Sequence, residues 1–458
     1  MTTTLSTRRG ILRAAAALSA SGLAARLGGL PAISSAAAQT STDYKALVCV
    51  FMFGGNDGNN TVIPFDTAGY GTYVAARPAS SDINLAQTSL LPIQPASTAT
   101  PFALHPALSD LQALFAQKKL AILANVGTLV APTSQAQYNA GARPLSLYSH
   151  SDQQAQWQSA ISTTAAGTGW GGRLADAVTS FGGPANFPVV TSLDGNVLFA
   201  TGTAALPLTV PVSGSFALAG FNGGAVASAR LAALQQIQAM PSSNTFVASA
   251  NAIGRDALKL SATVNPILSA SSATLTPIFA GQTSSISQQL LQVAKMIEGR
   301  AATGAARQIF FVQLGSFDTH NDQLRRQQDL FADLSPALKA FHDATVALGV
   351  DNSVTTFTLS DFGRTMQPAS GGGTDHAWGS HHFILGGAVR GGDIYGRYPS
   401  LALGGVDDAE KEGRWIPTTA VDQYGATLAR WFGVTPAQMS AVFPNLARFA
   451  TADLGFLA

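Results

Sequence analysis

Five short runs of almost unbroken apolar residues constrain this chain more than any other feature: residues 46–53, 120–126, 188–193, 308–314 and 354–359. A strand with no polar alternation is buried on both faces, which is the pattern of a parallel sheet. Helical spacing separates some of these runs. Over 107–117, Leu108, Leu111 and Phe115 share a face with Leu114 beside them, and Pro106 suits the first turn. Residues 286–297 and 324–348 also repeat apolar side chains at helical intervals. Alternating strands and helices predict an α/β fold, a doubly wound and mostly parallel sheet flanked by helices. Residues 195–285 break the pattern. They are rich in Ser, Ala, Gly and Asn, with helical stretches at 225–239 and 251–264 and hairpin material near 198–212. They read as an inserted or capping region.

The first 38 residues stand apart from the fold. Arg8 and Arg9, followed by Gly10-Ile11-Leu12-Arg13, resemble a twin-arginine export signal, with Ile11 and Arg13 replacing its usual Phe and Lys. Ala36-Ala37-Ala38 offers a small-residue cleavage site. Arg26, Gly28 and Gly29 interrupt the apolar stretch, whereas a spanning helix needs ~20 mostly apolar residues. The expectation is a signal peptide over 1–38, one α/β domain over 39–458, and a periplasmic or secreted protein. Its partner during export is the twin-arginine translocase, and it has no membrane contact after cleavage. Without the leader's four arginines, 22 basic residues face 25 acidic ones, so no basic footprint for nucleic acid exists. Cys49 is the only cysteine, which excludes an internal disulfide and reads as a core residue.

Three acids follow strand-like runs. Asp57 comes after Gly54-Gly55-Asn56, Asp318 after Gly315-Ser316-Phe317, and Asp361 directly after Ser360. In open α/β sheets the ligand site lies beyond the carboxyl ends of the strands, so acids distant in sequence converge there. Five of the seven histidines fall within residues 320–382, and His320, His376, His381 and His382 lie close to an acid or to each other. Carboxylate charge and imidazole nitrogen together suit a divalent cation, Zn, Mn, Mg or Ca. The candidate ligands are Asp57, Asp318, His320, Asp361, Asp375, His376 and His381, at one or two sites. His381 and His382 point to opposite faces if they lie on a strand, so one of the two reaches the cation. His342 reads as a bystander on a helix.

Tyr148-Ser149-His150-Ser151-Asp152 precedes a helix-like stretch, with Ser151 or Asp152 as its N-cap in one reading. In the other, Ser149 or Ser151 sits beside the cation at a helix N-terminus that favours an anionic ester, and His150 is a further ligand. Ser149 is the candidate nucleophile. Arg364, three residues after Asp361, is the candidate oxyanion partner, with Arg173 second to it and an ion pair with an acid as its alternative.

The segments FGGNDGNN, FDTHNDQ, SDFGRT and GTDHAWGSHHFILGGAVRGG, behind such a leader, resemble the bacterial family called domain of unknown function 1501. That family is grouped with the alkaline phosphatase and sulfatase superfamily, whose members hold two metals at the ends of a doubly wound sheet. The resemblance implies that Asp57 is the early metal-binding Asp, and that Asp318 and His320 form the later Asp-with-His site, at a shorter spacing. It makes Asp361 the acid of an Asp-His pair, and His376 or His381 the final His. Phe362 stands where that pair's His belongs, so Asp375, His150 or a neighbouring His replaces it, or the site is single or degenerate. The function implied is metal-dependent hydrolysis of phosphate or sulfate esters, small or polymeric. The alternative is a periplasmic or surface binding protein with a remnant metal site.

Overall fold

The computed structural model describes residues 43–178, 187–214, 221 and 223–458. The expected leader therefore lies outside the described residues, and residues 44–458 form one compact unit. Twelve strands are described: β1 (Lys45–Met52), β2 (Val62–Pro64), β3 (Leu91–Ile93), β4 (Phe102–Leu104), β5 (Leu120–Gly127), β6 (Val190–Ser192), β7 (Leu208–Thr209), β8 (Arg307–Leu314), β9 (Val354–Ser360), β10 (Ser380–Gly386), β11 (Ile394–Gly396) and β12 (Thr419–Ala420). Nine of them form one sheet in the order β11-β5-β10-β9-β1-β8-β6-β7, with β12 also on β5. β2, β4 and β3 make a small antiparallel sheet beside it.

The central sheet is parallel except for β10, which runs against both β5 and β9. Alternate residues of β1 enter two separate cores. Val48, Val50 and Met52 pack on one face with the helices Ser285–Glu298 and Gln323–Ala347, while Leu47, Cys49 and Phe51 pack on the other with Trp170–Ala177 and Val421–Phe432. Two covered faces explain why these strands carry no polar alternation. Helices on both sides make the sheet doubly wound, as expected.

Residues 198–212 do not form a hairpin. They give a single turn of 3-10 helix and β7, which extends the sheet edge parallel to β6. The rest of the atypical region forms two helices, Gly224–Ala239 and Thr245–Ser269.

Candidate metal centre

The register of the sheet brings the three strand ends level. Met52 lies opposite Leu314 of β8 and Ser360 of β9. The loops that leave these residues carry Asp57, Asp318 and Asp361. The first two loops nearly touch: a Cβ on Gly54, whose φ is +113°, would lie 2.4 Å from the Asp318 amide nitrogen. Only glycine fits that position. Gly373 answers the same need where the loop before His376 crosses His320, because a Cβ there would lie 2.1 Å from the His320 carbonyl carbon.

His150, Asp318 and His376 converge, each offering a ligand atom within 4.8 Å of the others. His150 opens the helix His150–Ser159, and Ser149 is its N-cap. Its Nδ1 lies 2.7 Å from Asp361 Oδ2. A carboxylate oxygen accepts, so Nδ1 carries the proton and the Nε2 lone pair is left exposed to the cluster. His376 Nδ1 lies 2.8 Å from the Tyr148 carbonyl oxygen, which fixes the same tautomer. His150 Nε2 then sits 3.5 Å from Asp318 Oδ2, and His376 Nε2 sits 3.4 Å from Asp318 Oδ1. Two nitrogen lone pairs facing a carboxylate repel unless a proton or a cation lies among them. His150 Nε2 is buried without a hydrogen-bond partner, as an absent cation would leave it. The donor set therefore fits a divalent metal: two imidazoles held through their second nitrogen, plus one carboxylate.

The surroundings reinforce the charge. Burial raises the Asp318 carboxyl pKa, but the Arg364 hydrogen bond and charge outweigh it and hold the group below the usual carboxylate range. The hydrogen bond to Asp361 raises the His150 pKa, whereas burial lowers that of His376. The Phe362 ring packs against both imidazoles, with centroids 4.9 Å from His150 and 4.5 Å from His376. It walls the site instead of contributing a ligand.

His320 and Asp375 flank the cluster. His320 Nε2 is 2.9 Å from His376 Nε2 and 3.1 Å from Asp318 Oδ1, and its Nδ1 is 3.3 Å from Asp375 Oδ1. Asp375 thus reaches the imidazole at the rim and not the three converging donors. Asp361 acts through His150, and Gln154 Nε2 donates to the same oxygen at 2.8 Å.

Other expected residues have different roles. Asp57 is fully buried, and its Oδ2 receives Arg77 at 2.6 Å and Gln323 Nε2 at 2.5 Å, while its Oδ1 accepts the Asn59 amide and Arg77 Nη2. Its lone pairs are used, so it caps and pairs instead of ligating. His381 lies in the core, where its Nδ1 accepts the Asn125 amide at 3.1 Å, its ring stacks on Tyr398, and burial lowers its pKa to about 3. His382 faces the other way, against Trp157. Neither joins the cluster. Arg364 is no free oxyanion partner, because it donates to the carbonyls of Gly54, Gly55, Phe317 and Thr374 and to Asp318. Arg173 is likewise spent on the carbonyls of Ser159, Thr168 and Val442. Ser149 stands at the helix start as expected, with its Oγ donating to Asp152 at 2.7 Å.

The candidate ligand that sequence reasoning left in second rank is His150. Its one signal was position, a histidine at a helix start between two serines and an acid. A cleft of ≈ 560 Å³ opens beside it, lined by Arg143, Leu147, Tyr148, Ser149 and Glu410 among others.

The family described as "Protein of unknown function (DUF1501)" matches residues 44–418. No curated protein matches the chain. Among solved structures, Ps i-CgsB in complex with k-i-k-neocarrahexaose is 8% identical with a TM-score of 0.35, covering 90% of this chain and 77% of that one. The PsFucS1 sulfatase from Pseudoalteromonas sp. is 11% identical with a TM-score of 0.30, covering 90% and 75%. At these scores neither structure informs the chemistry of the site.

Proposed function

We propose that this chain, which belongs to the DUF1501 family, is a hydrolase of phosphate or sulfate esters that works with a divalent cation held by His150, Asp318 and His376. The observation that carries the reading is the convergence of two anchored imidazoles and a carboxylate at the ends of adjacent parallel strands. Three protein donors at a partly exposed position match a catalytic metal site, which keeps a place open, better than a closed structural one. When bound, the cation supplies Lewis acidity to an ester oxygen and lowers the pKa of water. Asp361 and the Tyr148 carbonyl hold both ligand tautomers, so no imidazole rotation accompanies turnover. His320 lies at the rim between Asp318 and Asp375, in place to hold a proton for the leaving oxygen. Export through the twin-arginine translocase belongs to the same reading, supported by Arg8 and Arg9.

A cation-holding binding protein is the second reading. It is favoured by the commitment of Arg364 to backbone carbonyls and Asp318 instead of to an oxyanion. Metal analysis of protein purified without chelators, with a screen of generic phosphate and sulfate monoesters, separates the two. Stoichiometric metal with turnover is the expected result. Metal without turnover favours the binding protein, and protein that takes up no metal sinks both.

A further inference from the structure

We propose that Gln323 is a positioning residue for the His150–Asp318–His376 cluster, a buried amide that, together with Arg364, sets the spacing between the two loops from which Asp318 and His376 project. The inference rests on the cation reading above. Gln323 opens the helix Gln323–Ala347 and is fully buried. Its Nε2 donates to Asp57 Oδ2 at 2.5 Å. A carboxylate only accepts, so the amide orientation is fixed and Oε1 must face the other way. There it accepts from two hydroxyls, Thr319 Oγ1 at 3.1 Å and Thr374 Oγ1 at 2.5 Å. Thr319 separates Asp318 from His320, and Thr374 immediately precedes Asp375 and His376. The backbone adds three bonds between the same segments, from the Thr374 amide to the Thr319 carbonyl at 3.1 Å, from the Asp322 amide to the Gly371 carbonyl at 3.2 Å and from the Gln323 amide to the Gly372 carbonyl at 2.9 Å.

The amide would hold nothing if its own anchor moved. Asp57 is immobilised by Arg77, which also donates to the Thr365 and Met366 carbonyls. One turn further along the helix, Gln327 Nε2 grips the Asp57 carbonyl at 3.0 Å and Asn56 Oδ1 at 3.2 Å. Two glutamines at i and i+4 thus project from one helix face onto the loop after β1. Asp57, placed at a strand end like a ligand, serves as the fixed post to which the metal-bearing loops are tied. A metal site tolerates about 0.5 Å of error among its donors, so the ties between loops set affinity. Glutamine alone offers one donor for the acid and one acceptor for the hydroxyls at this reach. Glutamate would set a second carboxylate against Asp57.

The test uses the mature protein and titrates Zn²⁺ and, separately, Mn²⁺ by calorimetry, alongside thermal unfolding without metal. Gln323→Met and Thr374→Val should weaken metal affinity by about tenfold or more while unfolding stays cooperative. Thr374→Ser keeps the hydroxyl and should bind like the wild type. Where Gln323→Met fails to fold, the contrast between Val and Ser at 374 decides. Variants that lose thermal stability but bind metal as tightly as the wild type would make Gln323 a clamp for the fold alone and overturn the proposal. A wild-type protein that binds neither metal fails earlier, at the cation reading itself.

Discussion

Asp57 and Asp361 look alike in the sequence, each just past an apolar run, yet they have opposite surroundings. Asp57 is neutralised by Arg77 with both side chains fully buried. Removing either partner strands a charge, so Asp57→Ala should cost roughly 3–5 kcal/mol in urea unfolding. The folded remainder should bind metal less tightly, as Gln323→Met does, because Asp57 anchors that amide although it is not among the converging donors. Asp361→Ala should weaken metal affinity about 10–100-fold by freeing the His150 ring, at a smaller cost in stability. Equal metal affinity in Asp361→Ala and His342→Ala would refute that assignment. What hid the difference was Arg77, which lies in a separate helical stretch with nothing in its spacing to connect it to residue 57. His150 was obscure for the same reason, since its partner Asp361 is contributed by a strand from the far end of the chain. A third acid gives a pH signature. Asp422, in the first turn of Val421–Phe432, has its pKa raised to about 7 by burial, against the opposing charges of Arg173 and Arg448. Between about pH 4 and 7 the folded state therefore holds a proton that the unfolded chain has lost, and stability falls as pH rises through that window. Asp422→Asn should remove this dependence and gain roughly 2–4 kcal/mol at pH 8, measured by denaturant titration.

Strands and helices of the body were legible because burial on both sheet faces wrote itself into composition. The runs at 46–53, 120–126, 308–314 and 354–359 became β1, β5, β8 and β9 within a residue at each end. β10 was harder: near its start stand two histidines, one of which reads as a ligand, but both pack in the core, against Tyr398 and Trp157. An imidazole in a strand buried on both sides serves as an aromatic filler, and sequence gives no sign of the rings that receive it. The two helices Gly224–Ala239 and Thr245–Ser269 follow different rules. Of all their residues only Ala227, Val264 and Leu268 are buried, and Phe246 is 84% exposed. Helical periodicity found them, but periodicity without a buried partner adds little stability. Phe246→Ser should shift unfolding by less than about 0.5 kcal/mol. Leu268→Ala, in the core beneath Ser285–Glu298, should cost about 2–5 kcal/mol in the same assay.

The molecule as a whole is a sheet whose centre is assembled from both ends of the chain. Its class followed from the alternation of apolar runs and helices, but the strand order did not, because unbroken apolar runs are interchangeable in composition. Only the loops that leave them differ, and those loops carry the site. The order has a consequence for how the protein comes to exist. β1 is the first of the described strands to be made, and its two neighbours are drawn from residues 307–314 and 354–360. A nascent chain therefore leaves the ribosome with its central strand unpaired, and no native neighbour can receive it until residues 307–314 are made. Pairings so far apart in sequence form slowly and leave apolar edges open meanwhile. A chain ended before residue 354 should leave residues 46–52 open to protease in a pulse-digestion assay, whereas the full chain protects them. Protection in the shortened chain would mean that β1 finds its place with β8 alone. For this protein the head waits on the tail: for most of the time the chain is being made, the strand at the heart of its large sheet has no native neighbour to join.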